Sequence, residues 1–173
     1  MRRLVLAVAI VAAVIALRYY RTSPSASTEM TEAERARIQA EVDSLTAEWW
    51  KAWEVFDWNR GLSFVEDAPE TTWTGAVQTV YSIAEMREVW PSAMAGLGRQ
   101  DLDFTNARTV VLAPDIVWTL REGNYVLMDT AGAVVSDGQF NETAVWVKRS
   151  GEWKILLGHD DDTTVPGEAS EEG

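Results

Sequence analysis

Two apolar runs near the C-terminus constrain this chain most. Phe140 to Lys148 and Trp153 to His159 flank a short Arg149-Ser150-Gly151 turn. Ser-Gly between β-rich runs is a hairpin signal. Successive strand residues point to opposite faces. Phe140, Glu142, Ala144, Trp146 and Lys148 therefore share one face of the first run. In the second, Trp153, Ile155, Leu157 and His159 share a face, with Lys154, Leu156, Gly158 and Asp160 opposite. Both faces are largely apolar, so the hairpin belongs inside a sheet covered on at least one side.

More strands precede it. Leu102 to Leu112 and Ile116 to Asp129, the latter with a bend at Gly123, read as two strands joined by Ala113-Pro114-Asp115. Glu70 to Val80 reads as an earlier strand with a bulge at Gly75. Strands that follow one another in sequence pair most simply as an antiparallel sheet.

The helices are marked at their starts. Thr31 and Glu34 fit a capping box. Behind them Ile38, Val42, Leu45, Trp49, Trp53 and Phe56 recur every three or four residues as one apolar stripe. That helix should stop near Asp57, and a short second helix follows around Leu62 to Val65. Ser82 and Glu85 form a second capping box, opening a helix with Ile83, Met86, Trp90, Met94 and Leu97 inward. Pro91 should kink or restart it, and Gly96 and Gly98 should end it. The expected fold is α+β: a cone-like, curved antiparallel sheet wrapped over three helices, with a further hydrophobic helix at the N-terminus. The open end of such a cone is a natural pocket.

That N-terminal stretch is a segment apart. Arg2-Arg3 precedes fourteen apolar residues, Leu4 to Leu17. At 1.5 Å per residue the run spans about 21 Å, short of a bilayer core of ~30 Å. It has the length of a signal-peptide hydrophobic region. Arg18, Tyr19 and Tyr20 lengthen the effective span, which favours an uncleaved anchor over a removed signal. The expected organisation is residues 1–21 as signal anchor or signal peptide, 22–30 as linker, 31–164 as the folded domain and 165–173 as an acidic tail. The domain is then held outside the cytoplasm, membrane-anchored or exported.

Charge excludes one class of partner. The chain carries a formal net charge of -12, and every charge before Thr22 is basic, so the domain itself is more acidic still. Such a surface repels phosphate backbones, and no nucleic-acid partner is expected. Cysteine is absent, which removes disulfides and thiolate chemistry. No Gly-rich phosphate loop or nucleophile elbow appears, and no cofactor is expected.

The nine tryptophans suit a large core or an aromatic pocket. Trp53, Trp58, Trp73, Trp90, Trp118 and Trp146 are the candidate pocket walls. His159-Asp160-Asp161-Asp162 has metal-ligand types, but strand alternation sends neighbours to opposite faces, so no metal site is expected. Glu142, Arg108, Asn106 and Arg121 are polar residues inside apolar strands. Pointing inward, they would need partners or water, and a buried pair would orient a ligand.

Several stretches together resemble the SnoaL-like branch of the nuclear-transport-factor-2-like superfamily. They are Ala52-Trp53, Asp57, Phe64-Val65-Glu66-Asp67, Val80-Tyr81-Ser82 through Trp90, Thr143-Ala144-Val145-Trp146, and Gly151-Glu152-Trp153-Lys154-Ile155 with His159. The resemblance covers about Thr31 to Thr164. Members include ketosteroid isomerase, scytalone dehydratase, polyketide cyclases and epoxide hydrolases beside many non-catalytic binding domains, and fold alone does not choose among them. It implies three candidate catalytic residues. Asp57 would act as a base at the cone mouth, or else cap the next helix. His159 would be a base on the last strand, or else a structural residue. Tyr81 would donate to an oxyanion. Relatives follow the last-strand histidine with a spacer and a hydroxyl residue, whereas here three aspartates follow. The expectation is a domain that binds a small apolar or aromatic molecule, with acid–base catalysis of the isomerase, lyase or hydrolase type as the alternative. A homodimer through the sheet is the expected association.

Overall fold

The computed structural model describes residues 30–75 and 78–164. The expectations for residues 1–21, most of the linker and the tail at 165–173 lie outside the described residues. Among the described residues no helix is long and apolar enough to cross a membrane.

Three helices and six strands form the domain. Helix α1 (Glu32–Glu54) starts at Thr31, whose hydroxyl accepts the Glu34 N–H while Glu34 takes the Thr31 N–H at 2.9 Å. Both capping-box bonds are thus made, stabilising the start by about 1 kcal/mol. Its buried face carries Ile38, Val42, Thr46, Trp49, Trp50 and Ala52. Helix α2 spans Trp58–Ser63 and α3 spans Ile83–Ala93. The second capping box is displaced: Ser82 accepts the Glu85 N–H, but Glu85 reaches the N–H of Tyr81 rather than that of Ser82. Helix α3 continues through Pro91 to Ala93. Of the two glycines expected to end it, Gly96 has a φ of 89° in the turn that follows, whereas Gly98 already lies in the next strand.

Strands β1 (Thr72–Thr74) and β2 (Thr79–Val80) replace the single early strand expected; they pair antiparallel as a small hairpin. Strands β3 (Leu97–Ala113), β4 (Ile116–Asp129), β5 (Val134–Arg149) and β6 (Glu152–Thr164) follow as a meander. The sheet order is β2-β1-β6-β5-β4-β3. It departs from a wholly antiparallel sheet at one place, where β1 runs parallel to β6. The long connection through α3 sends the chain from the β1–β2 edge to the far edge at β3, where the meander begins. Ser150 and Gly151 both have positive φ, 53° and 90°. Positive φ at both central residues is the geometry of a two-residue type I′ turn, which matches the twist of the strands it joins.

Helix α1 lies across the inner sheet face and is tied to it by polar contacts. Lys148 bonds Glu41 at 3.1 Å, Arg121 bonds Asp43 at 2.9 Å, and Arg35 donates to the Val111 carbonyl at 2.7 Å. The core between them includes Val42, Trp49, Val117, Trp146, Trp153 and Ile155.

One irregularity decides which residues look inward. Val145 pairs Leu157, but Trp146 pairs Ile155, leaving Leu156 as an extra residue in β6. A bulge of this kind shifts the alternation by one. Trp153 and Ile155 face inward, and beyond the bulge Gly158, Asp160 and Asp162 do so, opposite Ala144, Glu142 and Phe140. The expected grouping of Leu157 and His159 with Trp153 and Ile155 is therefore corrected. His159 pairs Thr143 and turns to the outer face.

Candidate functional site

A hollow of about 140 Å³ lies between α1, α3 and the inner sheet face. Its apolar wall comes from Trp49, Trp50 and Trp53 of α1, Trp73 of β1 and Trp90 of α3, with Leu102, Tyr125 and Phe140 from the sheet. The indoles brace one another. Trp49 lies 5.4 Å from Trp73, Trp73 5.5 Å from Trp90, and Trp90 5.0 Å from Trp53, ring centre to ring centre. These are edge or tilted contacts, the arrangements the ring quadrupole prefers. Helical spacing puts Trp49 and Trp53 on one face of α1; Trp50 turns toward Phe104 and Phe140, 5.3 and 5.2 Å away.

The polar floor is acidic. Glu142 on β5 and Asp160 on β6 are direct cross-strand partners and both line the hollow. Such partners have Cβ atoms only about 4.5–5.5 Å apart. Glu142 is 1% exposed, and its Oε2 has no hydrogen-bond partner among the described residues. Burial pushes the Glu142 carboxyl well above the usual carboxylate range; Asp160 adds to the rise and Arg121 opposes it. Removing the charge from water is the dominant cause, as expected for a carboxyl enclosed by rings. Asp160 is held differently: it accepts the indole N–H of Trp73. Tyr125 also lines the hollow, and burial raises its phenol. Asp161 and Asp162 continue the acidic character along the same strand.

Arg121 pairs Glu142 across β4 and β5 and is 7% exposed. Its guanidinium is committed elsewhere. It donates to the carbonyls of Arg108 and Leu120, to Asp43 and to Thr109. Those contacts face a separate groove between α1 and β3, lined by Gln39, Asp43 and Thr46.

The three residues nominated for catalysis do not meet at the hollow. Asp57 caps α2, accepting the Arg60 N–H at 3.0 Å. Tyr81 is 64% exposed and lies ahead of α3. His159 lies on the outer sheet face because of the bulge. Of the six nominated tryptophans, Trp53, Trp73 and Trp90 line the hollow. Trp58 packs edge-on against Trp53 at 5.2 Å, outside it. Trp146 is core beneath α1, and Trp118 alternates with inward-facing Val117 and Thr119 and so points outward. Sequence reasoning did not assign Asp160 to the floor, because the phase shift at Leu156 is invisible without the pairing. Glu142 carried a usable signal: it is in phase with Phe140, Ala144 and Trp146, the inward residues of β5.

The SnoaL-like domain family matches residues 42–160. No curated protein matches the chain. Among solved structures, a nuclear-transport-factor-2-like superfamily protein from Salmonella enterica superposes with a TM-score of 0.65 at 14% identity, covering 80% of this chain and 98% of that one. A type 2 hexachlorocyclohexane dehydrochlorinase (LinA) gives 0.65 at 15% identity, covering 79% and 95%. The association domain of CaMKII from C. elegans gives 0.59 at 17% identity, covering 77% and 100%. At these identities the likeness concerns the fold.

Proposed function

The chain belongs to the SnoaL-like domain family, within the nuclear-transport-factor-2-like superfamily, and we propose that it is a member that binds a small, largely apolar or aromatic molecule in the tryptophan-walled hollow. The observation that carries this is the hollow itself, about 140 Å³ of space bounded by five indoles. An apolar cavity of about 150 Å³ is large enough to take benzene. A single-ring ligand would therefore fill this one and exchange water for aromatic contact. Titration with toluene or indole, followed by tryptophan fluorescence and thermal shift, tests the reading. A saturable change with a rise in Tm is expected; no saturable response to any single-ring compound would end it.

Acid–base chemistry is the second reading, favoured by one observation. Glu142, its proton affinity raised, stands opposite Asp160 on the same floor. A carboxyl that keeps its proton beside a second carboxyl can serve as donor while the other accepts. Incubating single-ring ketones with the protein in deuterium oxide tests this, since proton abstraction would exchange the α-hydrogens. Exchange no faster than in buffer removes the reading.

The placement of the domain is part of the same proposal. The Leu4 to Leu17 run, of signal-peptide length and extended by Arg18, Tyr19 and Tyr20, supports a membrane tether, and the proposal places the domain outside the cytoplasm. Extraction by detergent but not by carbonate checks it. On the outer sheet face Val110, Trp118, Val145 and Leu157 lie in one cross-strand row. An apolar row across four strands suits a second copy of this chain. Sedimentation of the wild type beside Trp118→Lys reads whether the dimer forms there.

A further inference from the structure

The hollow is apolar, yet its ionisable lining has one sign. Glu142, Asp160 and Asp162 turn carboxyl groups to its side of the sheet, Asp161 joins the lining from the outward-turned position between the two aspartates, and among the described residues none of the lining is basic. Arg121 has its guanidinium turned to Asp43, Thr109 and two backbone carbonyls, toward the separate groove between α1 and β3. It leaves Glu142 buried, with Oε2 unpartnered among the described residues.

We propose that the ligand is a compact organic cation, a single-ring or branched-alkyl ammonium whose nitrogen faces Glu142 and Asp160 and whose body sits among Trp49, Trp73 and Trp90. The proposal rests on the ligand-binding reading above and adds the charge of what is bound. Three chemistries can be weighed against this lining. An anion would meet carboxyl groups at short range in a poorly solvated space and be repelled. A neutral hydrocarbon would fill the aromatic part but leave Oε2 of the buried Glu142 without a partner, at a desolvation cost it cannot offset. An ammonium satisfies the floor and also gains from the negative faces of the surrounding rings. The formal charge of -12 on the whole chain works in the same direction, concentrating cations near the mouth. The size of the hollow limits the cation to about one ring, with the head toward the acidic floor.

The test compares ligands that share one ring and differ in charge. Benzylammonium, benzyl alcohol and benzoate are titrated against the full-length protein at neutral pH by calorimetry. Benzylammonium should bind at least about tenfold more tightly than benzyl alcohol, a ratio within the range of a desolvated cation–ring contact. Benzoate should bind weakest. In Asp160→Asn the benzylammonium affinity should fall by roughly fivefold or more while that of benzyl alcohol is kept. The wild-type ranking decides the matter even if that variant fails to fold. Equal or tighter binding of benzyl alcohol overturns the cation proposal and leaves the pocket reading standing. No binding by any of the three overturns both.

Discussion

Gly158 lies directly beneath the ring of Trp73: a Cβ added there would overlap the benzo edge of the indole. The two residues are register partners in the parallel β1–β6 pair, so the tryptophan folds across the strand it pairs with. Its N–H then reaches Asp160, two residues on. Only a residue without a side chain allows that crossing.

Gly158→Ala should therefore destabilise the domain by about 1–3 kcal/mol, the usual cost of overpacking. The ring cannot retreat, because Trp49 and Trp90 stand 5.4 and 5.5 Å behind it. Urea denaturation followed by tryptophan fluorescence measures the loss. A midpoint unchanged from wild type would mean that Trp73 does not occupy this position.

Glu142→Gln should change the pH dependence of stability. The Glu142 proton affinity is raised in the folded chain above its usual 4.5. Folding therefore favours the protonated form, and this contribution is fully present below the unfolded pKa. It is lost as pH rises through the folded pKa, because the unfolded chain releases its proton first. Glutamine keeps the shape without the proton. Its stability relative to wild type should grow as pH rises from 4.5 toward 8, read as the shift in denaturation midpoint. A difference that stays flat with pH would contradict the burial of a protonated carboxyl.

Trp146→Ala should cost about 3–5 kcal/mol, since the ring is 1% exposed and fills the core under α1. Trp118→Ala, on the outer face, should cost roughly 1 kcal/mol in the monomer and show its main effect on self-association. Denaturation curves at low and high protein concentration separate the two. Comparable losses at both positions would reverse the assignment of faces.

Asp57→Ala should remove a helix cap and about 1 kcal/mol of stability, with ligand affinity unaltered. His159→Ala should likewise leave ligand affinity alone, since the imidazole stands on the outer face. A large affinity loss in either variant would bring that residue back to the site.

Much of this architecture was legible in the residues. The strand Ile116–Asp129 was bounded correctly by its turns at Pro114-Asp115 and Ala131-Gly132, and the Ser150-Gly151 turn placed the last hairpin. The α1 stripe was visible because Ile38, Val42 and Trp49 repeat with the helical period. Other features depend on pairing, which no single run reports. Alternation in β4 separates Trp118 from Val117 without saying which of them is inside; the position of α1 across the sheet decides that. Asp57 was legible as a cap because an aspartate before a short helix makes that bond locally, at 3.0 Å. Asp160 required knowing that Leu156 has no partner opposite it.

The extra residue at Leu156 also marks how close this floor stands to a different chemistry. Were β6 to pair without the bulge, Leu156 would stand opposite Val145, and every side chain beyond it would slip by one position and change sides. His159 and Asp161 would then look into the hollow, with Asp160 and Asp162 turned out to solvent. An acid-floored binder and an imidazole-floored one are thus separated on this scaffold by a slip of one residue in a single strand pair, with no new functional side chain required.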